Sequence, residues 1–499
     1  MAQHLISIQD AEQDFLACSA YLAEGIKSRE GHAQALMAII PHYLAKGDVD
    51  LAAELSNSVD DPFTRDRLLI LTAQKCVELD DDEYSLQLVE AIEDFGLQSQ
   101  AREKIALHKA SIGDFAKARD IADEMGHPDS VLAGISIKQA LDGNEEAALK
   151  TVGEISFPGT AVYALTTMAA VSVETGKSER AVEMLEKASS AAGEIEHDEE
   201  KIRALSDIGN LFIDAKRNDR AIETFDMARS NAETLDNIHR DAFLGAVSLG
   251  FLRAGSVDLA DRTLDSVADK TQIATTLLGF AREFWRRDEK TEALEALEEA
   301  HAILKSQRES ETRDSKAKFA LFTAIAVQFA GFEKGERAIG FAQEIPDENE
   351  QMSALGQIAQ VLTIQNRGDL ASQAIRAIPE DASRMFALIG ASDAAARNEE
   401  KEKAVSFLAE AASLAETVPQ LASRSSAYNE IAKRFHDFGD TEKAREISLI
   451  NLETISTIRD ESSQAVAIAN VAELYDAAQF ELASTEREIL QELLKRAGL

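Results

Sequence analysis

The sequence predicts an all-α chain, an α-solenoid of about thirteen consecutive helix-turn-helix hairpins, and three observations carry that expectation. The first is apolar spacing. In residues 201–228, Leu205, Ile208 and Phe212 stand three and four apart, and so do Ala221, Phe225 and Ala228, so each half of the stretch forms one apolar stripe along a helix. Gly209 lies beside the first stripe with no side chain, where the helix carrying Ala221 is expected to pass closely. The second observation is a small residue that opens each second helix: Ala52, Ser85, Ala118, Ala148, Ala181, Ala221, Ala260, Ala293, Ala338, Ala371, Ala404, Ala444 and Ala483, at a mean spacing of about 36 residues. Upstream of most of these stands an apolar residue followed by a small one, as in Phe280-Ala281, Ile325-Ala326 and Ile358-Ala359. The third is punctuation. Gly47, Gly113, Gly143, Gly176, Gly255 and Gly439 sit where a helix end wants a left-handed residue, and six of the seven prolines fall between hairpins.

The order Leu205-x2-Ile208-Gly209-x2-Phe212, followed by Ala221-x3-Phe225, resembles the tetratricopeptide repeat, whose Trp, Leu, Gly, Tyr, Ala and Phe positions serve the same packing. The resemblance implies a right-handed superhelix in which the first helix of each hairpin lines a concave groove. It departs from the family pattern in three ways. Leu205 stands where the family has Trp, the hairpins vary from about 30 to more than 40 residues, and Pro41 with Ile40 interrupts the first helix of the first hairpin, where a kink is expected.

Taken in order, residues 1–27 hold one helix, roughly 10–24, read as an N-terminal cap on the first hairpin. Residues 28–482 hold the repeats. Residues 483–499, with Ile489, Leu490, Leu493 and Leu494 at helical spacing, supply the last repeat helix and close the C-terminal end of the stack.

Composition narrows the function. Aromatics make up only 6% of the 499 residues, which suits thin layers of helix on helix rather than a thick sheet core. The formal charge of −37 argues against nucleic acid and against anionic membrane surfaces, since both need Lys and Arg to neutralise phosphates. Two cysteines, Cys18 and Cys76, are far apart and read as small core residues rather than a disulfide. No basic start with an apolar run and no stretch of 18 apolar residues is present, so a soluble, cytoplasmic protein is expected.

Nothing in the chain spells out a catalytic or metal site. The nine histidines form no HExxH pair, Gly176-Lys177-Ser178 lacks the upstream glycine of a phosphate loop, and Asp80-Asp81-Asp82-Glu83 lacks the central glycine of a calcium loop. No cofactor and no metal are expected, and the chain is read as not an enzyme. One local feature stands against the acidic background: Arg282, Trp285, Arg286 and Arg287 lie within residues 271–287 with only Glu283 opposing them, in a chain with one net negative charge for about every 13 residues. Arg282, Trp285 and Arg286 fall on the groove face of that helix, and Arg253 takes the equivalent place one hairpin earlier. They could hold an acidic or aromatic partner through stacking and bidentate pairing. The competing reading packs Trp285 sideways on a neighbouring hairpin and pairs the arginines with nearby acids. The resulting expectation is a non-catalytic scaffold or adaptor that binds a protein or peptide partner. Two alternatives stay open: an α/α-toroid enzyme or carbohydrate-binding protein, and a sensor responding to a peptide or small ligand.

Overall fold

The computed structural model describes residues 4–307 and 314–497, and every regular element among them is an α-helix. Two small helices come first, α1 (Ile8–Ala11) and α2 (Phe15–Gly25). Pairs follow: α3 (Arg29–Lys46) with α4 (Val49–Asn57), α5 (Pro62–Glu78) with α6 (Asp82–Glu90), α7 (Phe95–Ser111) with α8 (Phe115–Met125), and α9 (Asp129–Leu141) with α10 (Glu145–Val152). Next are α11 (Pro158–Glu174) with α12 (Ser178–Gly193), α13 (Asp198–Asp214) with α14 (Asn218–Thr234), α15 (Arg240–Arg253) with α16 (Val257–Leu264), and α17 (Lys270–Arg286) with α18 (Lys290–Ser306). The series ends with α19 (Ser315–Gly331) and α20 (Gly335–Gln343), α21 (Glu348–Ile364) and α22 (Gly368–Arg376), α23 (Asp381–Arg397) and α24 (Lys401–Ala415), α25 (Leu421–Asp437) and α26 (Thr441–Ser456), then α27 (Glu461–Ala478) and α28 (Ser484–Arg496). The chain divides into two compact units, one made of Met1–Ala101 with Gln351–Leu499 and the other of Arg102–Glu350.

Each pair from α3/α4 to α25/α26 turns through three residues or fewer, and each turn contains one residue in the left-handed conformation. Six of these are the expected glycines. The others are Asp80, Lys216, Asp288, Glu333, Asn366 and Glu399, with φ between 60° and 63°. The bonding is the same in both classes: after α3, Gly47 N donates to Leu44 O at 3.0 Å and Asp48 N to Tyr43 O at 3.0 Å, while after α13 Lys216 N donates to Ile213 O at 2.9 Å and Arg217 N to Phe212 O at 2.8 Å. These paired bonds satisfy carbonyls that a helix end otherwise leaves open, which offsets the cost of a left-handed non-glycine residue.

The small residues do what their spacing predicts. From Ala52 to Ala444 each is the fourth residue of its second helix, and each is fully buried. Where a serine replaces the alanine, its hydroxyl finds the facing helix: Ser85 Oγ donates to Ala73 O at 2.9 Å, and in the reverse sense Ser248 Oγ donates to Ala260 O at 2.7 Å and Ser392 Oγ to Ala404 O at 2.9 Å. Gly209 needs a different explanation from the one its sequence suggested. A Cβ there would lie 2.7 Å from the ring of Phe225 rather than against Ala221, and a Cβ on Gly250 of the next hairpin would meet the same ring at 2.5 Å. Phe225, fully buried in α14, is held between two glycine-bearing first helices.

In the unit formed by Met1–Ala101 and Gln351–Leu499, the two caps expected at separate ends share one hydrophobic core. Phe15, Leu22, Leu36 and Ile39 cluster with Ile468, Val471, Tyr475, Leu490 and Leu493. The helix that packs along α27 in the manner of a second helix is α2, and α3 packs on α27 in turn. Ser19 Oγ donates to Ala465 O at 2.7 Å, Phe15 meets Tyr475 edge-on at 4.8 Å, and Lys46 pairs with Asp476 at 2.7 Å. The thirteenth hairpin is therefore composite, α27 with α2, and Ala483 is not its anchor: it is the N-cap of α28, which lies against α26 and α2. Buried Glu486 fixes α28 by accepting from Arg445 Nη2 at 2.8 Å, the Tyr475 hydroxyl at 3.1 Å and Ala483 N at 3.0 Å.

A further repeated device links successive hairpins. Asp66, Asp129 and Asp241, each fourteen residues before a left-handed turn residue, accept two backbone N–H groups from the connection after the following second helix. For Asp66 Oδ2 these are Glu93 N at 3.1 Å and Asp94 N at 3.0 Å, for Asp129 Oδ2 Ser156 N and Phe157 N, and for Asp241 Oδ2 Ala268 N and Asp269 N.

Candidate functional site

The arginine-rich helix α17 begins at Asp269, whose carboxylate caps it by accepting from Thr271 N at 2.7 Å and Gln272 N at 3.2 Å. Ala274, Leu277, Leu278, Phe280 and Ala281 are buried, which turns Arg282 and Arg286 outward. Glu283, which the sequence shows as a lone opposing charge, is the hub of the helix end. It is 6% exposed and accepts from Arg286 Nε at 2.9 Å, Arg286 Nη2 at 2.6 Å and Arg287 Nε at 2.8 Å, while Arg287 Nη2 also donates to Leu252 O at 2.5 Å. Burial alone would raise its pKa, but the two guanidiniums outweigh burial and hold the carboxyl below its usual range. The i+3 and i+4 spacing of Arg286 and Arg287 from Glu283 was the sequence signal for this cluster.

Trp285 is half-buried and stacks flat on Phe332 of the next hairpin, ring centroids 4.3 Å apart at 10°, with Lys290 Nζ 5.2 Å from its ring centre. This is the sideways packing that the sequence left open against an exposed anchor. Arg282 Nε donates to Gln328 Oε1 at 2.8 Å, and Arg253 Nη1 donates to Asn210 Oδ1 at 2.7 Å. Arg253 and Arg286 occupy the same register, two residues before the left-handed residues Gly255 and Asp288. Arg286 is tied to an acid, whereas Arg253 and Arg282 bond to neutral amides and make no ion pair among the described residues.

A second feature had no sequence signal. Beside the end of α18 lies a cavity of about 580 Å³, lined by rings of His301, Phe319, Phe322 and Phe341 and by Lys305, Lys318 and Glu344. It lies where α18, 17 residues long, is followed by a second helix, α20, of only 9. His301 meets Phe341 at 4.4 Å and Phe322 at 5.5 Å, both edge-on.

The constant place of the small residue, the left-handed turn and the paired apolar stripes decide the architecture. The fold is a tetratricopeptide-like helical repeat. No family model and no curated protein matches the chain. Among solved structures, the tetratricopeptide-like repeats of a putative kinesin light chain from Podospora anserina are 17% identical, covering 45% of this chain and all of that one at a TM-score of 0.24. The apo quorum sensor NprR from B. thuringiensis is 14% identical, covering 72% of this chain and all of its own at 0.25. A Rap protein complexed with Competence and Sporulation Factor is 12% identical, covering 60% and 88% at 0.25. With TM-scores this low, the assignment rests on the hairpins of this tetratricopeptide-like chain itself. None of its described helices is long and apolar enough to cross a membrane.

Proposed function

We propose that the protein is a non-catalytic scaffold or adaptor that holds a protein or peptide partner on the outward side of its first helices. The observation that supports this reading is the pair Arg253 and Arg282, on consecutive first helices, whose guanidiniums are bonded to the amides of Asn210 and Gln328. An amide oxygen leaves the cationic charge uncompensated, so an incoming carboxylate gains a charge-assisted, bidentate partner without first breaking an ion pair. Trp285, stacked on Phe332, lies on the same helix as Arg282, and Arg286 contributes through the portion not engaged by Glu283. The chemistry selects an acidic segment as the partner.

The test is comparative capture from the native source with wild-type protein and with the double variant Arg253→Ala/Arg282→Ala. Partners retained by wild type should be lost or weakened by about 2 kcal/mol in the variant, with thermal melting unchanged, and added salt should weaken the wild-type complex in the same direction. An identical set of partners at identical affinity would overturn the assignment of these residues.

A further inference from the structure

The cavity beside α18 joins a wall of several aromatic rings to a cation held at its edge. Phe322 and Phe341 flank the His301 ring, Phe341 is stacked in turn on Phe329 at 4.8 Å, and Leu304 and Pro346 complete the apolar lining. Aromatic rings fixed against one another in this way present a rigid wall with little rotamer entropy left to lose when something packs on it. The volume of about 580 Å³ lies inside the range of ordinary small-molecule sites.

The charges differ from one another. Lys305 pairs with Glu344 at 3.2 Å, so those two largely cancel. Lys318 donates from Nζ to the carbonyl of Gln307 at 2.8 Å and makes no ion pair among the described residues, which leaves its charge and further N–H groups for a ligand. Burial lowers the pKa of His301, with Lys305 pushing the same way and Glu344 opposing, so the ring is neutral at pH 7 and can offer an N–H without adding charge. No hydrogen bond among the described residues engages its ring nitrogens.

We propose that this cavity is a binding site for a small aromatic monoanion, a planar ring system carrying one carboxylate or sulfonate, with its ring against the wall formed by His301, Phe322 and Phe341 and the acid on Lys318. The occupant is a small molecule rather than a protein segment, because a cavity of about 580 Å³ has the volume of an ordinary small-molecule site. The site is independent of the role assigned to Arg253 and Arg282.

The experiment uses the full chain and 8-anilino-1-naphthalenesulfonate as the probe, followed by fluorescence and by calorimetry at pH 7. Saturable binding of one probe per chain is expected. Lys318→Glu should weaken it at least tenfold, while Lys316→Glu, an equal change of charge at an exposed residue of the same helix outside the cavity lining, should leave it within twofold. Phe341→Leu, which keeps an apolar side chain but removes a ring, should also weaken it, and melting curves of each variant establish that the fold is kept. Binding without saturation, equal affinity in Lys318→Glu, or equal weakening by Lys316→Glu would each overturn the proposal.

Discussion

Phe225 shows how little room this architecture leaves at a single residue. Its ring fills the space vacated by Gly209 on one side and Gly250 on the other, so adding one methyl to either glycine drives a Cβ into an immobile ring. Gly250→Ala is expected to cost about 1–3 kcal/mol in denaturant or thermal unfolding. Asp207→Ser, exposed on the same first helix as Gly209, should stay within about 0.5 kcal/mol. Equal midpoints for the two would show that the ring is not clamped. Glycine helps at the turns for the opposite reason. Lys216 has φ of 62°, so Lys216→Gly should raise stability by about 0.5–1 kcal/mol, read as a higher unfolding midpoint. Glu283 adds a pH dependence of definite sign. Its folded pKa lies below the ordinary 4.5, so its contribution is complete above that value and fades as pH falls through the depressed one. Glu283→Gln should therefore cost about 2 kcal/mol at pH 7, with the gap between variant and wild type narrowing steadily below pH 4.5. A gap that is flat down to pH 3 would contradict the pairing with Arg286 and Arg287.

Single hairpins were legible in the sequence because their two requirements, an apolar stripe at three-and-four spacing and a small residue where helices cross, are each met by few residue types. The turns were only half legible. A left-handed residue announces itself when it is glycine, as at Gly176, but Lys216, Glu333 and Glu399 adopt the same conformation under the pull of the paired backbone bonds, and nothing in their side chains marks it. Trp285 could be placed on a helix face but not assigned a neighbour, since its stacking partner Phe332 comes from a different hairpin. The cavity beside α18 lies where two successive second helices differ in length, a quantity that sequence boundaries blur by a turn. The aspartates that tie one hairpin to the next were missed because an acid in an acidic chain draws no notice. Asp66, 1% exposed and accepting from two backbone N–H groups, should be costly to remove: Asp66→Ala is expected to lose about 2–4 kcal/mol and to speed amide exchange at Glu93 and Asp94 above all. Uniform acceleration across α5, with no excess at those two amides, would point to a different cause.

At the scale of the whole chain, repeat order and spatial order part company where α2 serves as the second helix of α27. Sequence patterns reveal that α2, whose residues 15–23 are all buried, is apolar, but not which distant helix covers it. Phe15→Ala, removing a buried ring that meets Tyr475, should cost about 3–5 kcal/mol, and the loss should appear as faster amide exchange in α27 while α17 stays protected. Unchanged exchange in α27 would mean that α2 is not its second helix. The composite hairpin also sets a timetable for biosynthesis. Ser19 and its acceptor Ala465 are 446 residues apart, which at usual translation speeds is roughly half a minute or more of elongation. Through that interval every other second helix can close on a first helix made moments before, while α2 waits with its apolar surface open, exposed to chaperones and to the wrong partners. A helix made early in synthesis is thus among the last to be housed.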